Sequence, residues 1–334
     1  MQPPLLRAAL VGLGFSQAVH LPAFRRIPGI EVAALVGRDA ERTRAAARAA
    51  GIPSWDTDLE RVLERDGIGL VAIAVPPQSQ PGLACTALRS GAHVYCEKPL
   101  ADTVAGARAI VEAASASGRR GAVGFIFPEL TPWRRLGTLL ATRELGKALR
   151  ASVSWKTESW TVREGGKSWK LDPSRGGGAL GNFASHVIHY LRTWFGEIEE
   201  VHALPTRNPG TRFLGLARFA SGVEADVSID CGAFMGQVHR VEIYCEGGTA
   251  VLENTTRDYA AGFSLRIARR DQPEWERLAR AEETGHDGRI DAVASILKRL
   301  HHNLSSGEKI MPDLGDGLKV QQAIQAFREL EGSL

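Results

Sequence analysis

The chain has 334 residues, 44% apolar and 24% charged, with a net charge of +3. That length exceeds a usual single domain and points to two. The near-neutral balance and dispersed basic residues exclude a nucleic-acid or anionic-membrane surface as the basis of function. No run approaches the ~18 consecutive apolar residues of a membrane span, and the N-terminus carries no signal-like segment. A cytoplasmic protein is expected. Its four cysteines, Cys85, Cys96, Cys231 and Cys245, have no metal spacing and read as small core residues of a reducing compartment.

Strand-like and helix-like segments alternate through the first 124 residues. Leu6 to Val11 is a short apolar strand ending at Gly12-Leu13-Gly14, with a helix expected from Ala18 to Ile27. A strand at Glu31 to Val36, a helix at Ala40 to Ala50 and another after Asp58 come next. The strongly apolar strand Gly69 to Val75 precedes helix Gln80 to Ser90, strand His93 to Cys96, helix Thr103 to Ala116 and strand Gly121 to Phe125. Near-continuous apolar strands separated by helices indicate a parallel sheet covered on both faces.

Three features of this half point to a dinucleotide. The turn Gly12-Leu13-Gly14-Phe15-Ser16-Gln17 keeps two glycines of a G-x-G-x-x-G fingerprint and has Gln17 at the third. Gly12 suits the tight turn and Gly14 close approach of a pyrophosphate to a helix N-terminus. The alternative is a simple tight turn. At the end of the second strand, Gly37-Arg38 stands where an acidic residue would accept from a ribose. Arginine can instead pair with a 2′-phosphate, which favours NADP(H) with NAD(H) as the alternative. An Arg38 stacked on adenine or lying in solvent is the other reading. Tyr95-Cys96-Glu97-Lys98-Pro99-Leu100 follows a strand's carboxyl end, where ligands of open α/β sheets bind. There Lys98 can stabilise a substrate alkoxide, and Pro99 is free to be cis.

Residues 125–334 read as a second domain. After Pro128 and Pro132 come a helix from Trp133 to Thr142 and an alternating strand from Ala148 to Lys156. Thr157 to Pro173 carries Trp160, Arg163, Lys167, Trp169 and Lys170, after Trp155 and Lys156. Aromatics beside cations suit sugar or phosphate groups. Trp155 reads as core, and Trp169-Lys170 as the candidate substrate contact. Arg175 to Leu191 then reads RGGGALGNFASHVIHYL. The glycines suggest close approach of a ligand to the backbone. Asn182, His186 and His189, at i, i+4 and i+7, share one face of an otherwise apolar helix. A metal site on these two imidazoles lacks an obvious carboxylate or thiolate to complete it, so no metal is expected. Strands follow at Glu200–Leu204, Phe213–Phe219, Val223–Ile229, His239–Cys245, Ala250–Asn254 and Phe263–Ala268, with turns at Ser221-Gly222 and Gly247-Gly248. Consecutive hairpins imply antiparallel pairing. The charge-rich Glu274–Glu283 reads as a solvated helix face. Helices from Gly288 to Asn303 and Asp316 to Leu330 close the chain.

Taken in order, these pieces resemble the glucose–fructose oxidoreductase / inositol dehydrogenase (Gfo/Idh/MocA) family. The resemblance rests on the Gly12/Gly14 loop with His20 and Leu21, Pro76, Cys96-Glu97-Lys98-Pro99, Gly176 to Leu180, His186, Pro312 and Asp316-Gly317-Leu318. It implies an N-terminal Rossmann dinucleotide-binding domain (1–124) and a C-terminal α+β domain (125–334). The latter carries a large, open, mostly antiparallel sheet used for dimer or tetramer contacts. It also implies an NAD(P)-dependent oxidoreductase acting on a carbinol or ketone of a sugar, cyclitol or nucleotide sugar. Lys98 and His186 would be catalytic, and Asn182, His189, Trp169 and Lys170 would bind substrate. Gly12, Gly14, Phe15, Ser16, Gly37, Arg38, Pro76, Glu97 and Lys98 would bind cofactor. The family's helix carries carboxylates where this chain has Asn182 and His189. That departure leaves a non-catalytic dinucleotide-binding sensor as the alternative.

Overall fold

A computed structural model describes residues 5–165, 168–258, 260–281 and 285–331. Lys167 and Glu282–Glu283, named above, lie outside the described residues. The described chain forms two compact units, the first from residues up to 126 together with 289–321, the second from 127–288 and 322 onward.

The first unit is a parallel sheet. Its strands are β1 (Leu6–Val11), β2 (Ile30–Val36), β3 (Ser54–Asp56), β4 (Leu70–Ile73), β5 (His93–Cys96) and β6 (Gly121–Val123), in the order β3-β2-β1-β4-β5-β6. The chain reverses between β1 and β4, which makes the carboxyl ends of those strands the natural ligand crevice. Helices α1 (Leu21–Phe24), α2 (Ala40–Ala49), α3 (Leu59–Arg65), α4 (Gln80–Arg89) and α5 (Val104–Ser117) connect the strands. Their starts are chemically marked. Asp39, Asp58 and Thr103 accept from backbone N–H groups of the first turns of α2, α3 and α5, satisfying donors the helices leave open. Apolar runs make β1 and β4 legible, since Ala8–Val11 of β1 and all of β4 are buried on both faces. The continuous helix expected from Ala18 to Ile27 is instead a π turn, Ser16–His20, running into the short α1.

In the second unit, α6 (Thr131–Ala141) leads into β7 (Ala148–Glu158). The short α7 (Trp160–Arg163) precedes a π turn at Ala179–Ala184 that runs into α8 (Ser185–Phe195). Seven more strands follow: β8 (Ile198–Leu204), β9 (Arg212–Phe219), β10 (Glu224–Asp230), β11 (Gly232–Cys245), β12 (Gly248–Asn254), β13 (Phe263–Arg269) and β14 (Glu276–Arg280). They form one sheet, β14-β13-β12-β11-β7-β10-β9-β8, antiparallel except for the parallel pair β10–β7. Ala151, Val153, Trp155, Ala225, Val227 and Ile229 are buried on one face, while Ser152, Ser154, Asp226 and Ser228 between them are partly exposed. The described part of the expected helix Glu274–Glu283 instead contains β14, a polar strand on the sheet's edge, where charge discourages pairing with other chains.

The last two described helices are α9 (Arg289–Ser306) and α10 (Leu314–Glu331). Residues 289–321 pack with the first unit. Arg120 donates to the Asn303 carbonyl at 2.6 Å, Val123 N–H to Pro312 O at 3.1 Å, and Gln321 to Asp102 O at 3.1 Å.

Candidate active site

The turn after β1 shows why its glycines are glycines. Gly12 has φ +112°, and a Cβ there would lie 2.5 Å from the Ala74 carbonyl oxygen. Its N–H donates to Val36 O at 2.9 Å, so the turn is fixed between two neighbouring strand ends. Around Gly14 nothing lies within 4 Å of a Cβ position, which leaves the backbone open to a ligand. Ser16, fully buried, donates from Oγ to Val11 O at 3.0 Å. It therefore makes the close helix–strand contact for which a third glycine was sought at the half-buried Gln17. Phe15 stands at the N-terminus of the π turn, with the Arg289 guanidinium 5.3 Å from its ring centroid.

Gly37 lies beside α2, where a Cβ would come 2.4 Å from Thr43 Oγ1. Arg38 is exposed just past β2, and Asp39 is committed to the start of α2 by accepting from Arg42 N–H at 2.9 Å. Pro76 opens the turn after β4. The Glu97-Lys98-Pro99 segment follows β5, and its Lys98–Pro99 peptide is cis. Gln80 donates to both Glu97 O and Pro99 O, at 2.9 and 2.8 Å. Glu97 Oε1 is 2.9 Å from Nε2 of the buried His20. Two glycines, an open backbone and a helix start beside strand ends fit a dinucleotide's phosphates. Neither Gln80 nor the His20–Glu97 pair was found as a functional contact from sequence. Their partners lie 17 to 77 residues away, and no local pattern marks them.

The second unit brings Asn182, His186 and His189 to one helical segment, with a change of pitch inside it. Asn182 belongs to the π turn and the two histidines to α8, so a regular i, i+4, i+7 stripe is not formed. Asn182 is half-buried, and both imidazoles are buried. Burial, with Arg192 adding to it, pulls the His189 imidazole down to about 3, so it is neutral near pH 7. His186 meets the Phe127 ring edge-on at 4.9 Å, and Phe127 stacks on Trp133 at 4.8 Å. Trp155 is core, as read from the sequence, with His239 stacked on it at 4.0 Å.

The glycine run does a different job from the one its composition suggests. Gly176, Gly177 and Gly178 are all buried, and a Cβ on Gly177 would fall 1.9 Å from the Trp169 carbonyl oxygen. At Gly177 the backbone that approaches closely is the protein's own, from Trp169 and Lys170. Trp169 is half-buried and Lys170 exposed on the short turn packed there. Among the described residues, no group of three or more histidine, cysteine or acidic side chains could hold a metal. None of the described helices is long and apolar enough to cross a membrane.

Comparisons with known proteins bear on both units. Residues 6–125 match the "Oxidoreductase family, NAD-binding Rossmann fold", and residues 133–251 match the GFO/IDH/MocA C-terminal domain. Inositol 2-dehydrogenase 4 of Saccharopolyspora erythraea is 30% identical over 73% of this chain and 72% of its own length. An oxidoreductase domain protein from Kribbella flavida superposes with a TM-score of 0.86 at 26% identity, covering 99% of this chain and 98% of that one. A levoglucosan dehydrogenase solved with NADH and L-sorbose shares the fold, with a TM-score of 0.87 at 21% identity and coverage of 98% and 97%. The chain thus belongs to the Gfo/Idh/MocA family and is an oxidoreductase with an NAD-binding Rossmann unit.

Proposed function

We propose that this oxidoreductase uses NADP(H) in preference to NAD(H) to interconvert a carbinol and a ketone on a sugar, cyclitol or nucleotide sugar. The observation that carries the cofactor reading is the exposed Arg38 past β2, with Asp39 tied to the α2 start. The carboxylate next in sequence thus caps a helix with one oxygen, and a guanidinium is offered to a 2′-phosphate. Relatedness to an inositol 2-dehydrogenase supports a polyol substrate.

When bound, the dinucleotide supplies a hydride acceptor or donor at nicotinamide C4. Gly12, Gly14 and Phe15 would hold its phosphates, with the buried Ser16, the fourth residue expected there, bracing the turn from beneath rather than touching the ligand. Gly37 and Arg38 would hold its adenosine end, and Pro76, Glu97 and Lys98 its nicotinamide end. His186 takes the hydroxyl proton on oxidation and returns one on reduction. Lys98 donates a hydrogen bond to the reacting oxygen as charge develops on it. Asn182 and His189 orient substrate by hydrogen bonding, which a neutral imidazole can do. Trp169 and Lys170 extend that contact. The first unit, which extends the expected 1–124 by residues 289–321, thus serves the dinucleotide, and the rest of 125–334 binds substrate and associates into a dimer or tetramer through the sheet. Four free, buried cysteines, whose thiols burial pushes upward, support a reducing cytoplasmic setting.

Calorimetric titration with NADPH and with NADH tests the reading. NADPH should bind at least about tenfold tighter, the worth of one charge-assisted pair, and Arg38→Ala should erase the difference. Preference for NADH overturns the Arg38 assignment, and binding of neither overturns the cofactor site.

A further inference from the structure

His20 has no part in the roles assigned above, yet its surroundings fix it from every side. It ends the π turn that follows the Gly12–Gly14 loop and is fully buried. Its Nε2 lies 2.9 Å from Glu97 Oε1. Phe15 and Tyr95 meet its ring edge-on, at 5.3 and 5.1 Å. A carboxylate accepts and does not donate, so the proton of this bond sits on His20 Nε2. Nδ1 is buried with no hydrogen-bond partner among the described residues. A proton there would be a buried, unsatisfied donor, so the Nε2–H tautomer is favoured.

The other end of the bond reaches the lysine. Glu97 Oε2 accepts from the backbone N–H of Lys98 at 3.4 Å. Gly124 makes room for this carboxylate, since a Cβ there would lie 2.8 Å from Oε1. His20 thus holds one oxygen while the other faces the Lys98 backbone. Gln80 fixes the carbonyls on either side of that lysine.

We infer that His20 is a positioning residue: through Glu97 it sets the backbone of Lys98 and ties the loop that receives the dinucleotide to the lysine that serves the reacting oxygen. The inference rests on the role proposed for Lys98. Without the imidazole, Glu97 loses its fixed plane and Lys98 its fixed starting point, while Gln80 still supports the peptide carbonyls.

Competitive labelling with acetic anhydride, read residue by residue by mass spectrometry, tests this without any substrate. The exposed Lys147 is the internal reference. In His20→Phe, which keeps a flat buried ring and lacks the donor, the Lys98 rate should rise about fivefold against Lys147, the worth of one hydrogen bond. In His20→Gln, whose amide N–H can reach Glu97, it should return to near the wild-type value. NADH affinity, from fluorescence titration, should follow the same order. Wild-type labelling in His20→Phe, or identical behaviour of both variants, overturns the inference. Should His20→Phe not fold, long-range ¹H–¹⁵N spectra of the wild type still decide: proton on Nε2 is expected, and proton on Nδ1 overturns it. If the wild type binds neither NADH nor NADPH, the cofactor assignment fails, and the labelling still judges the His20–Glu97 pair.

Discussion

Asn182 is the half-exposed member of a trio whose two histidines are buried, and that difference divides the chemistry among them. An amide has no proton to exchange near neutrality, and His189 is held neutral by its burial. In the proposed mechanism proton transfer is thereby assigned to His186, whose ring is set against Phe127. Replacing His186 with Ala should lower kcat by about 10²–10⁴-fold, the usual contribution of general acid–base catalysis, and leave dinucleotide affinity unchanged. Steady-state kinetics on the polyol that the wild type turns over fastest, with calorimetry for the cofactor, check this. Unaltered turnover would remove His186 from the mechanism. Candidate side chains such as Lys98 and His186 were legible as residue types in a pattern. The His20–Glu97 bond was not, because the two residues meet only when β1 and β5 enter the same sheet.

Elements whose burial is continuous were the easiest to read. The strand β4 announces itself by an unbroken apolar run, β1 by one interrupted only at Arg7, and α2 and α5 by a capping residue followed by a helical period. Those governed by their neighbours were not. The three residues of β3 are half-buried with no apolar run, and β14 is charged because it lies at an edge. The π turns before α1 and α8 contain closely packed residues, the buried Ser16 and Gly181, where a Cβ would lie 2.1 Å from Gly176 O, and no local propensity encodes them. The layer between α8 and the sheet also sets a pH response. His189 on α8 and His239 on β11 are pulled down to about 3 by burial, against about 6.5 when unfolded. The unfolded chain therefore binds more protons between those values, so stability is complete above pH 6.5 and lost as pH falls. Each imidazole contributes a slope of up to about 1.4 kcal/mol per pH unit. His93 and His301 are shifted in the same direction by burial. Melting temperature should fall steadily from pH 7 to pH 5, and the fall should be shallower in His239→Phe. A flat profile over that range would contradict it.

On the scale of the whole molecule, the proposed self-association would use the partly exposed polar face of the eight-stranded sheet. Ser154 and Ser228 stand in register on β7 and β10, half-exposed, amid the outward Ser152–Asp226 hydrogen bond of 2.6 Å. A stable pairing buries about 1,600 Å² in total, and a broad sheet face can supply that. Light scattering should give a dimer or tetramer mass, and Ser154→Arg with Ser228→Arg should give a folded monomer. A monomeric wild type would remove the sheet from this role. The return of residues 289–321 to the first unit has a consequence of another kind. On the ribosome, β1 to β6 emerge first, yet the carbonyls of Asn303 and Pro312 that receive Arg120 and Val123 emerge near the end. The nucleotide-binding half is begun first and finished last, so it must wait, incomplete, while the entire eight-stranded sheet is translated.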